Sequence, residues 1–129
     1  LKSQLVMADL QEKLKTLPSI KGVPYLAEIL EGAEAGDLRT ASDAIRQIHK
    51  DLPMLLASRG SGRANVLIAF PKAWVKEKKV NAGQVLKPLG RFIKGGGGGS
   101  PELAQAGGKD PEGLPEVLKG FKEALETLA

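Results

Sequence analysis

Three cations, Lys87, Arg91 and Lys94, recur at spacings of four and three and end against five consecutive glycines, Gly95–Gly99. On a helix that spacing puts all three on one face. A cationic face beside backbone without side chains suits phosphate oxygens: the cations supply charge and the bare N–H groups supply donors. Gln105 and Lys109 follow shortly after. Gln105 is a polar residue in an otherwise small, apolar stretch, and either bonds the glycine backbone or faces a ligand. The candidate nucleic-acid-binding residues are therefore Lys87, Arg91, Lys94, Gly95, Gly96, Gly97, Gly98, Gly99, Gln105 and Lys109.

Most other chemistries lack their side chains. There is no Cys and one His, His49, which rules out disulfides, Cys-based zinc sites, Cys nucleophiles and any site needing two His ligands. His49 lies near the C-terminus of an expected helix, where a cation suits the dipole. No catalytic residue and no metal ligand is singled out. No apolar run approaches the ~20 residues of a membrane span, and no signal peptide is visible, so a soluble, cytoplasmic protein is expected.

Charge is confined. Residues 59–94 hold nine basic residues and one acid, a net +8, whereas the remainder holds ten basic and fourteen acidic residues, a net −4. A local basic field on a neutral-to-acidic background points to a polyanionic partner. The other reading, a solvated Lys-rich surface, stands beside it.

These residues must be held by a frame. At 129 residues the chain suffices for one domain. Residues 1–17 carry a helical stripe, Val6, Leu10, Leu14 and Leu17, ended by Pro18. The chain opens inside this pattern, at Leu1, and is expected to be a segment of something longer. Residues 22–30 alternate as a strand, with Pro24 near its start. Asp37 is the expected N-cap of a helix through about Lys50, with Leu38, Ala41, Ile45 and Ile48 inward. MLLAS and ANVLIAF around RGSGR predict a hairpin. PKAWVKEKKV predicts a short helical turn whose Trp74 caps the core.

Asn81 with Gln84, and Val80 with Val85, predict a capped helix whose apolar face is Val85, Leu89, Phe92 and Ile93. Pro88 inside it predicts a kink. ELAQA reads as a short strand. Asp110 and Pro111 open a last helix with Leu114, Val117, Leu118, Phe121, Leu125 and Leu128 inward. The fold class is α/β: a small mixed β-sheet packed with helices, preceded by an N-terminal amphipathic helix. The expected organisation is a helical linker segment at 1–17 and a globular domain at 18–129.

GGGGGS has the composition of a tether. Residues 101–129 alone, however, are one short strand and one amphipathic helix, far too few to bury an apolar face. The glycines are therefore expected to be a loop inside one domain. Each costs about 0.5–1 kcal/mol relative to Ala in ordering entropy, so five in a row imply a backbone requirement. The run matches neither a P-loop, since the Gly-Lys-Ser/Thr ending is missing, nor the dinucleotide fingerprint in context.

"GGGGGSPELAQAGGKDPEGLPEVL" resembles the signature of the DHH-associated domain, in the version found at the C-terminus of alanyl–transfer-RNA synthetases. The carrying residues are Pro101, Glu102, Leu103, Ala104, Gln105, Ala106, Gly107 and Gly108, and then Leu114 to Leu118. "IKGVPYLAEILEG", "DLRTASDAIRQI" and "VNAGQVLKPLGRFIKG" resemble the family's upstream elements in order. The resemblance implies a non-catalytic domain that contacts the outer corner of tRNA(Ala). It would coordinate aminoacylation with editing, in some members as a homodimer, as part of a parent synthetase. ATP, Mg²⁺ and Zn²⁺ would belong to the parent enzyme's other domains, with no cofactor here. Many members carry cations where this chain has Gly96 and Ser100; if those hold phosphate, this chain relies on Lys94, Arg91 and Lys109 or binds more weakly. The alternative from another class is the nucleic-acid-gripping tail of a DHH-type phosphodiesterase or exonuclease.

Overall fold

The computed structural model describes residues 12, 15, 17–31, 34–49, 52–60, 62–77 and 79–128. The helix expected over 1–17 lies almost wholly outside the described residues. A two-residue ribbon, β1 (Ser19–Ile20) and β2 (Val23–Pro24), turns at Lys21 and Gly22, both at positive φ. The main sheet has five strands: β3 (Leu26–Glu31), β4 (Met54–Gly60), β5 (Arg63–Ala69), β6 (Gly95–Gly99) and β7 (Leu103–Gly108). Their order is β3-β4-β5-β7-β6. Only β3 and β4 run parallel, which makes the sheet mixed as expected. That parallel pair needs a crossover, supplied by α1 (Ala35–Ile48).

The glycines are the chief correction. They were expected as a loop and instead form β6, an edge strand paired antiparallel with β7 from Gly95↔Gly108 to Gly99↔Ala104. The turn after them is closed by Ser100, whose N–H donates to the Leu103 carbonyl at 2.9 Å and whose Oγ accepts from the Leu103 N–H at 3.2 Å. Main-chain pairing to β7 replaces the side chains that a strand ordinarily packs with.

Alternation along the strands makes two cores. On one face Leu55, Ala57, Val66, Ile68, Ala104 and Ala106 meet Trp74 of α2 (Lys72–Glu77), Leu86 and Leu89 of α3 (Ala82–Leu89), and α4 (Leu114–Leu128). Leu114, Val117, Phe121 and Leu125 of α4 are all buried there. Burying each large side chain is worth about 1.5–3 kcal/mol, so α4 belongs to this core and not to a separate unit. Trp74 does cap the core, stacked on Phe70 with ring centroids 6.1 Å apart. On the other face Leu38, Ala41 and Ile45 of α1 cover Leu26, Leu30, Met54, Leu56 and Leu67.

Boundaries and caps differ in detail. α1 starts earlier than expected, and Asp37 is its third residue, accepting at 2.9 Å from the Glu34 N–H instead of capping the helix itself. It ends at Ile48, and Ile48, expected inward, is its last residue and is 56% exposed. Asn81 caps α3 as expected, its Oδ1 accepting from the Gln84 N–H at 3.2 Å. Asp110 caps a 3-10 turn, Pro111–Gly113, that leads into α4.

Candidate nucleic-acid interface

The cations sit on two supports. Lys87 lies on the exposed side of α3, and Arg91 in the 3-10 turn Gly90–Ile93 that continues it. Pro88 cannot donate a helical hydrogen bond, and the helix tightens into this turn two residues later, where a kink was expected. The inward stripe is Ala82, Leu86, Leu89 and Ile93, with spacings of four, three and four. Val85 and Phe92 lie one row beside it. That is why Phe92, expected inside, is 43% exposed. Lys94 ends the turn in the left-handed conformation (φ 53, ψ 46), reversing the chain into β6.

Helix α3 runs along β6 at close range. A Cβ on Gly90 would stand 3.1 Å from the Gly95 carbonyl oxygen, so only glycine permits this approach without displacement. Because α3 covers the first sheet face, the sheet itself separates Lys87 and Arg91 from Gln105, which alternation puts on the second face. The expected site residues are therefore divided. Lys94, Lys109 and the glycines share one end and edge of the sheet, whereas Lys87 and Arg91 belong to the outer helical layer.

Among the described residues the second face is only half covered. Helix α1 reaches Leu56 and Leu67 but leaves β6 and the neighbouring part of β7 open. A shallow cleft of about 220 Å³ lies there, lined by Asn65, Val66, Gly96, Gln105, Ala106 and Gly107. It is smaller than the roughly 300–1,000 Å³ of enclosed small-molecule sites. Asn65 donates from Nδ2 to Ser58 Oγ at 3.5 Å, which ties the cleft wall to β4. Among the described residues nothing stands within 4 Å of where side chains on Gly96 or Gly98 would be, so the floor is bare backbone.

Register adds a cation that the sequence reading left out. Arg63 is the first residue of β5, one before Ala64, which pairs with Gly108; Gly108 pairs in turn with Gly95. Arg63, Lys109 and Lys94 thus mark the same end of three adjacent strands, and all three are exposed. Spacing alone hides this, because the residues are 31 and 15 apart; the hairpin prediction plus strand pairing would have found it. Among the described residues no helix is long and apolar enough to cross a membrane, and no group of three or more His, Cys, Asp or Glu is placed to hold a metal.

The model of the DHHA1 domain family matches residues 22–127, which hold the whole five-stranded sheet and the helices packed on it. The chain belongs to the DHHA1 domain family. It is similar to the C-Ala domain of the Aquifex aeolicus alanyl-tRNA synthetase, with 34% identity and a TM-score of 0.76 over 86% of this chain and 98% of that one. It is also 33% identical over 128 residues to the alanine–tRNA ligase of Chlorobium phaeovibrioides, and 37% identical over 127 residues to that of Pelotomaculum thermopropionicum. These matches cover 99% and 98% of the chain, which spans only 14% of each ligase.

Proposed function

We propose that this chain is the tRNA-binding C-terminal domain of an alanine–tRNA ligase. It holds tRNA(Ala) at the outer corner of the L and keeps one bound RNA available to both aminoacylation and editing. It does no chemistry and carries no cofactor; ATP, Mg²⁺ and Zn²⁺ serve the rest of the parent enzyme, which is cytoplasmic. In this reading residues 1–17 link to that remainder and residues 18–129 form the domain. A homodimer is part of the reading, and sedimentation of the chain at high concentration as a strict monomer would remove it.

The observation that carries the reading is the similarity to C-Ala, together with exposed cations on two supports, Lys94 and Lys109 at the end of an exposed glycine strand and Lys87 and Arg91 on the helical layer beside it. Folded RNA is recognised by shape, through phosphates and 2′-hydroxyls, more than through paired base edges. Exposed cations and bare backbone meet that need. The test is binding of a tRNA(Ala) transcript to the chain as salt is raised. Wild type is expected to lose affinity steeply, and Lys87/Arg91/Lys94→Glu to bind far more weakly. Unchanged affinity in the triple variant sinks these residues as the site.

A further inference from the structure

We infer that Phe92 is the stacking platform for one base of the RNA whose flat face is open, with the strand that carries this base running along Lys87 and Arg91. This rests on the RNA-binding reading and sharpens it, because it adds an uncharged contact that net charge cannot supply. Exposure singles the ring out. Ile48 and Phe92 are the exposed large hydrophobics among the described residues, at 56% and 43%. Only Phe92 lies in a run of cations: Lys87, Arg91 and Lys94 are all exposed, and residues 78–101 contain no acidic residue. Among the described residues none of these three cations has an ion pair. An aromatic face set among free positive charges suits a partner that is flat and anionic at once, which is the chemistry of a nucleotide in a strand.

The ring is exposed although its backbone is held. Leu86, Leu89 and Ile93 fill the core beneath α3 without it. The Asp110 N–H donates to the Ile93 carbonyl at 2.9 Å, and a Cβ on Gly113 would overlap the Phe92 carbonyl oxygen, so the turn Pro111–Gly113 lies directly against this backbone. A platform fixed in this way loses little freedom when a base settles on it. Among the described residues the ring contacts join Phe70 to Trp74 and to Phe121, and none involves Phe92. Pro88, exposed and four residues earlier, falls on the same side of the helix and widens the apolar surface. The charges around the ring differ by element. The cations come from α3 and its continuation, whereas the turn packed against Phe92 carries Asp110 and Glu112. A phosphate chain is drawn to the first and repelled by the second, which orients the strand along α3.

The test titrates the chain with a tRNA(Ala) transcript and, as a polyanion without bases, with heparin. Phe92→Leu keeps an apolar side chain, so its melting temperature is expected near wild type while its affinity for the transcript falls about tenfold or more. The slope of log affinity against log salt is expected to stay as it was, since no phosphate contact is removed. Heparin is expected to bind Phe92→Leu and wild type alike. Phe92→Trp is expected to keep wild-type affinity, with the fluorescence of its added indole quenched by the transcript; in the unaltered chain Trp74 is buried, and its signal is expected to stay. Full affinity of Phe92→Leu for the transcript, with loss confined to Lys87 or Arg91 variants, overturns the inference and leaves the RNA-binding reading standing. An equal loss toward heparin does the same. So does a Phe92→Leu chain that binds RNA fully but no longer self-associates in sedimentation, since the ring would then belong to an interface between copies. Failure of the unaltered chain to bind the transcript overturns both.

Discussion

Arg46 of α1 donates from Nη2 to Glu102 Oε2 at 3.4 Å, bridging 56 residues of sequence to fix the β6–β7 turn beneath the helix. Glu102 also accepts through its carbonyl oxygen from the Phe70 N–H at 2.9 Å, so its backbone ties that turn to the end of β5. The side chains are 27% and 37% exposed, and solvent screening limits what the pair contributes. Glu102→Gln is expected to cost about 0.5 kcal/mol, and no more than about 1. A double-mutant cycle with Arg46→Met by urea unfolding checks this, and high salt is expected to shrink the coupling.

Glycines within β6 are required for two different reasons, and neighbouring positions separate them. A Cβ on Gly97 would overlap the Gln105 carbonyl oxygen on β7, so Gly97→Ala must push the two strands apart. Such overpacking costs about 1–3 kcal/mol. Gly96→Ala meets nothing within 4 Å among the described residues and has no positive φ to strain it. It is expected to be neutral or to stabilise by up to about 1 kcal/mol, through lost freedom in the unfolded chain. Equal urea midpoints for the two variants would show that β6 is not paired as described.

Much of this frame was legible from periodicity. The hairpin, the Asn81 cap, the inward faces of α1 up to Ile45 and of α4 up to Leu125, and the capping role of Trp74 follow from apolar spacing and turn chemistry. β6 was not legible, because strand recognition leans on side chains that fill a pleated surface and five glycines have none. Phe92 was misplaced because Leu86, not Val85, centres the buried stripe of α3; one residue shifts a helical face by about 100°. Arg63 escaped because spacing along the chain carries no cross-strand register. The family resemblance carried the domain type but not which side of the sheet would face a ligand.

Phe121 tests whether the segments before and after the glycines are one cooperative unit. It is fully buried, 6.2 Å from Phe70 between ring centroids, although the two residues lie on opposite sides of the glycine strand in sequence. Phe121→Ala is expected to cost about 3–5 kcal/mol. Trp74, stacked on Phe70, is the only Trp, so its fluorescence reports the first core while circular dichroism reports the whole chain. The two signals are expected to move together to a lower midpoint. A shift in the helical signal alone, with Trp74 melting as before, would mean that α4 unfolds by itself and that the glycines act as a tether.

The salt dependence of RNA binding separates working cations from those that merely raise the net charge. The +8 segment includes Lys72 and Lys76, exposed on α2, as well as Lys87, Arg91 and Lys94. Each phosphate contact removed is expected to flatten the slope of log affinity against log salt by roughly 0.7–0.9. Lys94→Gln and Arg91→Gln should each do so, and Lys72→Gln and Lys76→Gln should leave the slope within error of wild type. Charge alone cannot produce that contrast, since all four changes remove the same unit of charge. If the α2 variants flatten it equally, the basic segment acts as a diffuse field and holds no phosphate at a defined place.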